Sequence, residues 1–84
     1  MRPYQVYINQ EALASAPRSG PPRKAVMDFI HSLARDPYST GDFAEQDLVG
    51  RTVHVKIVGR FAITFWADHA VSEVKVTHIK QADK

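Results

Sequence analysis

Apolar and polar residues alternate most regularly in the second half of the chain. The alternating apolar positions are Val53, Val55, Ile57, Phe61, Ile63, Phe65, Val74 and Val76. A period of two is typical of β-strands with one buried face. Short turns at 59–60 and 67–70 separate the three runs, so segment 51–80 is predicted to form a three-stranded antiparallel β-meander. We expect the apolar positions to share the face that packs on a helix and the polar positions to share an open face.

The first half of the chain predicts one strand and two helices. Aromatic and β-branched residues at 4–8 favour a strand, and Asn9 is a suitable N-cap for a short helix at 11–14. The Pro- and Gly-rich segment 17–22 interrupts this pattern, and its Ser19 or Gly20 can cap a second helix. The apolar stripe of that helix has helical spacing and consists of Val26, Phe29, Ile30 and Leu33.

Segment 36–50 joins the second helix to the predicted meander. The helix is expected to stop before Asp36, because a residue that precedes proline avoids helical backbone angles. The segment carries four acids and no base, and we interpret it as a long acidic loop. The order β-α-α-β-β-β predicts an α+β fold, with an antiparallel sheet and helices packed on one face, in a single domain that covers residues 1–84.

Composition excludes several classes of protein and site. The chain has no cysteine, so disulfides and thiolate metal sites are excluded. Its four histidines form no His-x-His or His-x₃-His pair, and we expect neither a metal nor a cofactor. The sequence also has no Gly-rich phosphate loop and no Gly-x-Ser-x-Gly elbow. Because no apolar run suggests a signal peptide or a membrane span, we expect a cytoplasmic protein without membrane contact.

The polar positions of the predicted meander carry the candidate chemistry. Lysine and arginine on an open sheet face suit a polyanion, and a histidine that titrates near neutral pH can move a proton. The candidate catalytic residues are His54, Lys56, Arg60 and His78, and the candidate RNA-binding residues are Arg51, Trp66, Lys75 and Lys80. RNA cleavage at such a site requires no metal, because the ribose 2′-OH can act as the internal nucleophile.

The candidates also have purely structural interpretations, and Lys56 can be an ordinary outward charge. Lys75 can be an outward charge paired with Glu73, and Trp66 can cover the edge of the sheet. His78 stands in phase with Val74 and Val76, so it points inward unless a β-bulge changes the phase of the strand.

The meander resembles a known family. The run from Gly50 to Asp68, followed by segment 74–80, is similar to the C-terminal meander of RelE/ParE-superfamily toxins, and segment 29–37 resembles the end of that family's second helix. The resemblance covers most of the chain in the same order of elements. It implies the toxin component of a type II toxin–antitoxin system, bound by a cognate antitoxin, with a heterotetramer of the two as one expected assembly.

The resemblance leaves the target open. RelE-like members cleave mRNA on the ribosome and repress translation, which here implies a metal-independent endoribonuclease, or mRNA interferase. In that case Lys56 and Arg60 are expected to bind phosphate, with His54 and His78 as acid or base. ParE-like members instead inhibit DNA gyrase, and a third alternative is a non-toxic binding or regulatory relative. Ala62 stands where RelE-like members often have arginine. This difference leaves the gyrase inhibitor and the non-toxic relative open as alternatives.

Overall fold

The structure, a computed structural model, describes residues 2–82, so the predicted domain boundaries at residues 1 and 84 lie outside the described residues. The elements in chain order are β1 (Gln5–Ile8), α1 (Gln10–Ala14), α2 (Gly20–Ser32), β2 (Phe43–Gln46), β3 (Thr52–Val58), β4 (Phe61–Asp68) and β5 (Glu73–Gln81). The predicted α+β class and the meander, now β3 to β5, are confirmed.

The five strands form one sheet in the order β1-β5-β4-β3-β2. Neighbours from β2 to β5 are antiparallel, whereas β1 pairs in parallel with β5, with Val6 opposite Val74 and Ile8 opposite Val76. The sheet is therefore mixed, where the sequence analysis expected only antiparallel pairs. A parallel pair needs a long crossover, and here both helices and three strands lie between β1 and β5.

Part of the predicted acidic loop is strand β2. It pairs with β3, with Phe43 opposite Val55 and Glu45 opposite Val53. All four β2 residues are exposed, so backbone pairing to β3 holds this edge strand without an alternating burial pattern. The segment before β2 reaches β3 at Gly41, where φ is +64° and an added Cβ would lie 2.6 Å from the Val55 carbonyl oxygen. Only glycine fits that approach.

Both helices begin as the sequence indicates. The Asn9 Oδ1 accepts hydrogen bonds from the backbone N–H of Glu11 and Ala12, at 2.8 and 3.3 Å, and so caps α1. Two prolines occupy the first turn of α2. Among residues 2–82, no helix is long and apolar enough to cross a membrane.

The core lies between the helices and one face of the sheet, which we call the helix side. Its fully buried members are Val26, Ile30 and Leu33 from the helical segment and Ile63, Phe65, Val74, Val76 and Ile79 from the sheet. Phe29 packs edge-on against Phe65 with ring centroids 5.6 Å apart. The predicted apolar stripe of α2 is therefore confirmed, and it packs on β4 and β5.

β3 turns Val53 and Val55 away from the helices. Residues opposite each other in an antiparallel ladder share a face. Lys56 lies opposite Ile63, which belongs to the core, and Val55 lies opposite Thr64, which does not. The expectation that the apolar positions of β3 and β4 share a face is wrong. The two-residue turn at 59–60 pairs Val58 with Phe61, so odd positions of β3 stand opposite even positions of β4.

Candidate functional site

The second face of the sheet, which we call the open face, is defined by strand register. Its residues are Gln5, Tyr7, Phe43, Glu45, Val53, Val55, Ile57, Ala62, Thr64, Trp66, Asp68, Glu73, Lys75, His78 and Lys80. The central side chains are short and little exposed: Val53 is 5% exposed, Val55 3% and Ala62 8%. Longer side chains surround this apolar floor. The open face can therefore receive a ligand against an apolar surface with polar groups at its border.

A groove of about 510 Å³ crosses the open face between the β2–β3 turn and β5. It is lined by Glu45, Gln46, Asp47, Leu48, Arg51, Val53, Thr64, Thr77, His78 and Lys80. The groove combines cationic groups with two carboxylates and the floor residues. Three of the sequence-predicted residues, Arg51, His78 and Lys80, thus lie together.

A β-bulge turns His78 into this groove. Thr64 lies opposite His78, whereas the next residue of β4, Phe65, lies opposite Val76, so Thr77 is the extra residue of β5. After the bulge Ile79 takes the core position and is 2% exposed. The alternative in which a bulge changes the phase of the strand is therefore confirmed.

Trp66 lies under two cations on the open face. The guanidinium carbon of Arg51 is 4.1 Å from the ring centroid, and the Lys75 Nζ is 5.0 Å from it. Lys75 stands opposite Trp66 in the ladder, and its Nζ lies 3.5 Å from a Glu73 oxygen and 3.7 Å from an Asp68 oxygen. Cation–π contact and carboxylates together hold this row in place. The structural interpretation, in which Lys75 pairs with Glu73, is confirmed.

Asp47 fixes the position of Arg51. Its Oδ1 accepts hydrogen bonds from the backbone N–H of Val49 and of Arg51, and its Oδ2 accepts one from the Arg51 Nε at 2.8 Å. Desolvation raises the pKa of Asp47, but these hydrogen bonds and the charge of Arg51 outweigh it and leave the pKa below its usual value. Asp47 was not among the candidate residues predicted from the sequence. The sequence feature that could have identified it is its position three residues before Gly50, a spacing typical of a tight turn.

Lys56 lies on the helix side, away from the groove. Its Nζ is 3.5 Å from the Asp42 Oδ1, and the Asp42 Oδ2 accepts a 2.7 Å hydrogen bond from the backbone N–H of Ile57. That hydrogen bond lowers the pKa of Asp42, with a further contribution from Lys56, and outweighs desolvation. Lys56 therefore contributes to the junction between the loop before β2 and strand β3.

His54 also lies on the helix side. Its ring centroid is 5.9 Å from that of Phe65, opposite it in the ladder. Within residues 2–82 its Nδ1 is the one buried side-chain polar atom that has no hydrogen-bond partner. The imidazole lines a cavity of about 210 Å³ together with Tyr38, Thr52 and His69. The expectation that His54 and Lys56 share a face with Trp66 and Lys75 is wrong.

Arg60 belongs to neither face. It lies in the turn between β3 and β4, where its carbonyl accepts a 2.7 Å hydrogen bond from the backbone N–H of Ala82. This places Arg60 at the end of the sheet where β5 finishes. Among residues 2–82, no group of three or more histidine, aspartate and glutamate side chains could hold a metal ion.

A second cluster that the sequence analysis missed joins three segments on the helix side. The Tyr4 hydroxyl is 2.8 Å from the His69 Nδ1, and Tyr38 stacks on His69 with ring centroids 4.5 Å apart. A hydrogen bond with Tyr38 raises the pKa of Tyr4. The cluster connects the segment before β1, the loop after α2 and the β4–β5 turn, so we interpret it as a structural fastening.

Comparison with known proteins shows the fold. No family model matches the sequence, and no curated protein matches it either. Among solved structures, the RelBE2 toxin–antitoxin complex from Mycobacterium tuberculosis contains a chain that aligns with a TM-score of 0.72 at 18% identity, over 94% of this chain and 98% of that one. The archaeal RelE–RelB complex from Pyrococcus horikoshii OT3 aligns with a TM-score of 0.70 at 15% identity, over 96% and 97%. The protein has a RelE-like toxin fold.

Proposed function

We propose that this protein is the toxin component of a type II toxin–antitoxin pair and that a cognate antitoxin binds it in the cytoplasm. The RelE-like fold supports this, since one similar structure is a toxin–antitoxin complex and the other a RelE–RelB complex, and the alignments span 94% and 96% of the chain. The size of the domain also supports it. A core as small as this one gives limited stability, and a bound partner adds to it.

The proposed target is mRNA on the ribosome, bound in the groove of the open face. The observation that carries this assignment is that His78, Lys80 and Arg51 line one groove. The cations can hold phosphate, and the imidazole can take the proton of a ribose 2′-OH. Trp66 and Lys75 extend the RNA path along β4 and β5, and Arg60 can add a phosphate contact at the end of the sheet. The product of this activity is a cleaved message, and translation falls.

His54 and Lys56 have no part in this assignment. Both lie on the helix side, and Lys56 is paired with Asp42. The family resemblance implied a catalytic role for both residues. In this assignment that role belongs to residues in the groove, and His78 is the candidate base.

A second candidate function is binding without catalysis, either as an inhibitor of DNA gyrase or as a regulator. The observation that favours it is the apolar floor of the open face, where Val53, Val55 and Ala62 carry no ionisable group. Such a floor suits a protein partner as well as a nucleobase.

Expression from an inducible promoter tests these functions. We expect growth to stop and incorporation of labelled methionine into protein to fall, while plasmid supercoiling stays normal. Co-expression of a neighbouring antitoxin-like reading frame should restore growth. Unaltered growth at high expression would contradict the toxin proposal. Altered supercoiling with intact protein synthesis would replace the RNA target with gyrase.

A further inference from the structure

We propose that Thr77 is a positioning residue for His78, because its hydroxyl fixes the neutral imidazole as the Nδ1–H tautomer and leaves Nε2 as the proton-accepting atom. The catalytic use of Nε2 rests on the proposed function. The tautomer itself is a property of strand β5 and can be measured without RNA.

The bulge brings the imidazole to the groove. The core positions of β5 are Val74, Val76 and Ile79, so their spacing changes from two residues to three. Thr77 is the extra residue that causes this change. Without an extra residue, His78 would take the core position that Ile79 now occupies, because a one-residue slip moves every following side chain to the other face. Bulges of this kind re-aim side chains at functional sites.

The hydroxyl of Thr77 then determines which imidazole nitrogen carries the proton. The Oγ1 lies 3.5 Å from the carbonyl oxygen of Thr64, which can only accept a hydrogen bond. The same Oγ1 is 3.0 Å from the His78 Nδ1. Both contacts are hydrogen bonds in one arrangement, in which the hydroxyl donates to Thr64 and accepts from Nδ1, and in that arrangement Nδ1 carries the proton of the neutral ring. The lone pair is left on Nε2.

An imidazole in this tautomer suits the proposed cleavage. Nε2 takes the proton of the ribose 2′-OH, the 2′ oxygen bonds to the adjacent phosphorus, and the bond from phosphorus to the 5′ oxygen breaks. The 5′ oxygen takes a proton from water, and the products are a 2′,3′-cyclic phosphate and a free 5′-OH. Lys80, which lines the same groove, neutralises charge on the phosphate.

The ¹⁵N resonances of the His78 ring test the tautomer. The full chain is measured above the pH at which the ring loses its second proton, as wild type, as Thr77→Val and as Thr77→Ser. We expect Nδ1–H in the wild type and in Thr77→Ser, and a shift of the population towards Nε2–H in Thr77→Val. Valine keeps the β-branched shape, and the amide resonances of Ile79 and Lys80 report whether the bulge persists. An Nε2–H wild type, or an unchanged tautomer in a folded Thr77→Val protein, would overturn the proposal.

Cleavage of mRNA on translating ribosomes by the same variants tests the role of the tautomer. General acid–base catalysis contributes roughly 10²–10⁴-fold, and we expect Thr77→Val to lose about tenfold of it while Thr77→Ser keeps it. In a His78→Gln background the valine substitution should have no further effect. Full cleavage by Thr77→Val despite a changed tautomer would overturn the positioning role. Absence of cleavage by the wild type would contradict the proposed function and leave the tautomer assignment intact.

Discussion

His54 and Phe65 lie opposite each other in the ladder between β3 and β4, with ring centroids 5.9 Å apart, and this pair places the imidazole on the helix side of the sheet. The register that follows divides the polar residues of the meander into two sets. Trp66, Lys75 and His78 belong to the open face, whereas Lys56 belongs with His54. Only the first set lies on the face that carries the groove.

The distribution of these polar residues between the two faces predicts which of them RNA contacts. Trp66 is the one tryptophan of the sequence, so its fluorescence reports on the open face. We expect a single-stranded oligoribonucleotide to change this fluorescence, with binding that weakens as salt rises because phosphate contacts release counterions. Lys80→Ala should weaken binding, and Lys56→Ala should leave it unaltered. Equal effects of the two substitutions would contradict the assignment of faces.

The core predicts a large loss of stability at Ile30. This side chain is fully buried between α2 and the sheet, at 0% exposed. We expect Ile30→Ala to lower the free energy of unfolding by about 2–5 kcal/mol, since it removes buried methyl groups and leaves a cavity. Val71→Ala, at an exposed position, is the control and should change it by no more than about 0.5 kcal/mol. Urea unfolding followed by circular dichroism measures both.

Alanine substitutions at two glycines distinguish the cost of a left-handed backbone from the cost of a close contact. Gly41 and Gly59 both have positive φ, at +64° and +60°. An added Cβ at Gly59 meets nothing within 4 Å, whereas at Gly41 it meets the Val55 carbonyl oxygen at 2.6 Å. We expect each alanine substitution to cost about 1–2 kcal/mol for the left-handed backbone. Gly41→Ala should cost more, because β3 must move, and equal costs in urea unfolding would contradict this contact.

Acid should weaken the junction before β3. The pKa of Asp42 is lowered in the folded chain, chiefly by the hydrogen bond from the Ile57 N–H. The carboxylate therefore stabilises the fold above the pKa of the unfolded chain, and this contribution is lost as pH falls below about 4. Asp42→Asn should lower stability at pH 7 and reduce the further loss between pH 5 and pH 3.

Asp28→Asn is the matched control for that substitution. The Asp28 carboxylate forms an ion pair with Lys24 on the exposed face of α2, with both side chains more than half exposed. Such pairs contribute little, so we expect small changes at either pH. An identical pH dependence in Asp42→Asn and wild type would show that the hydrogen bond to Ile57 has no energetic weight.

Much of the fold could be predicted from the sequence, because buried residues recur at a regular spacing along the chain. The stripe of α2 and the alternation of the meander are such periods, and both elements are where they were expected. Strand β2 shows no such regular spacing, because its four residues are exposed and only backbone pairing orders them. The parallel partner of β1 also could not be derived, since it depends on where the chain returns after β4.

The candidate site was harder to predict because it depends on register. Alternation shows that His54 and Trp66 each face away from some apolar neighbours, but the two-residue turn at 59–60 decides that they face opposite ways. The bulge at Thr77 left a readable signal in the spacing of Val76 and Ile79. The contacts of Asp47 with Arg51 required the folded turn.

Primer extension on cellular mRNA tests most directly the proposal that the open face of this protein cleaves translated RNA. Cells express the wild type, a Lys80→Ala, His78→Gln protein or the Lys56→Ala protein, each at the same level. We expect new cleavage sites within translated messages for the wild type and for Lys56→Ala, and none for the double variant. Cleavage that persists in the double variant and disappears in Lys56→Ala would contradict it.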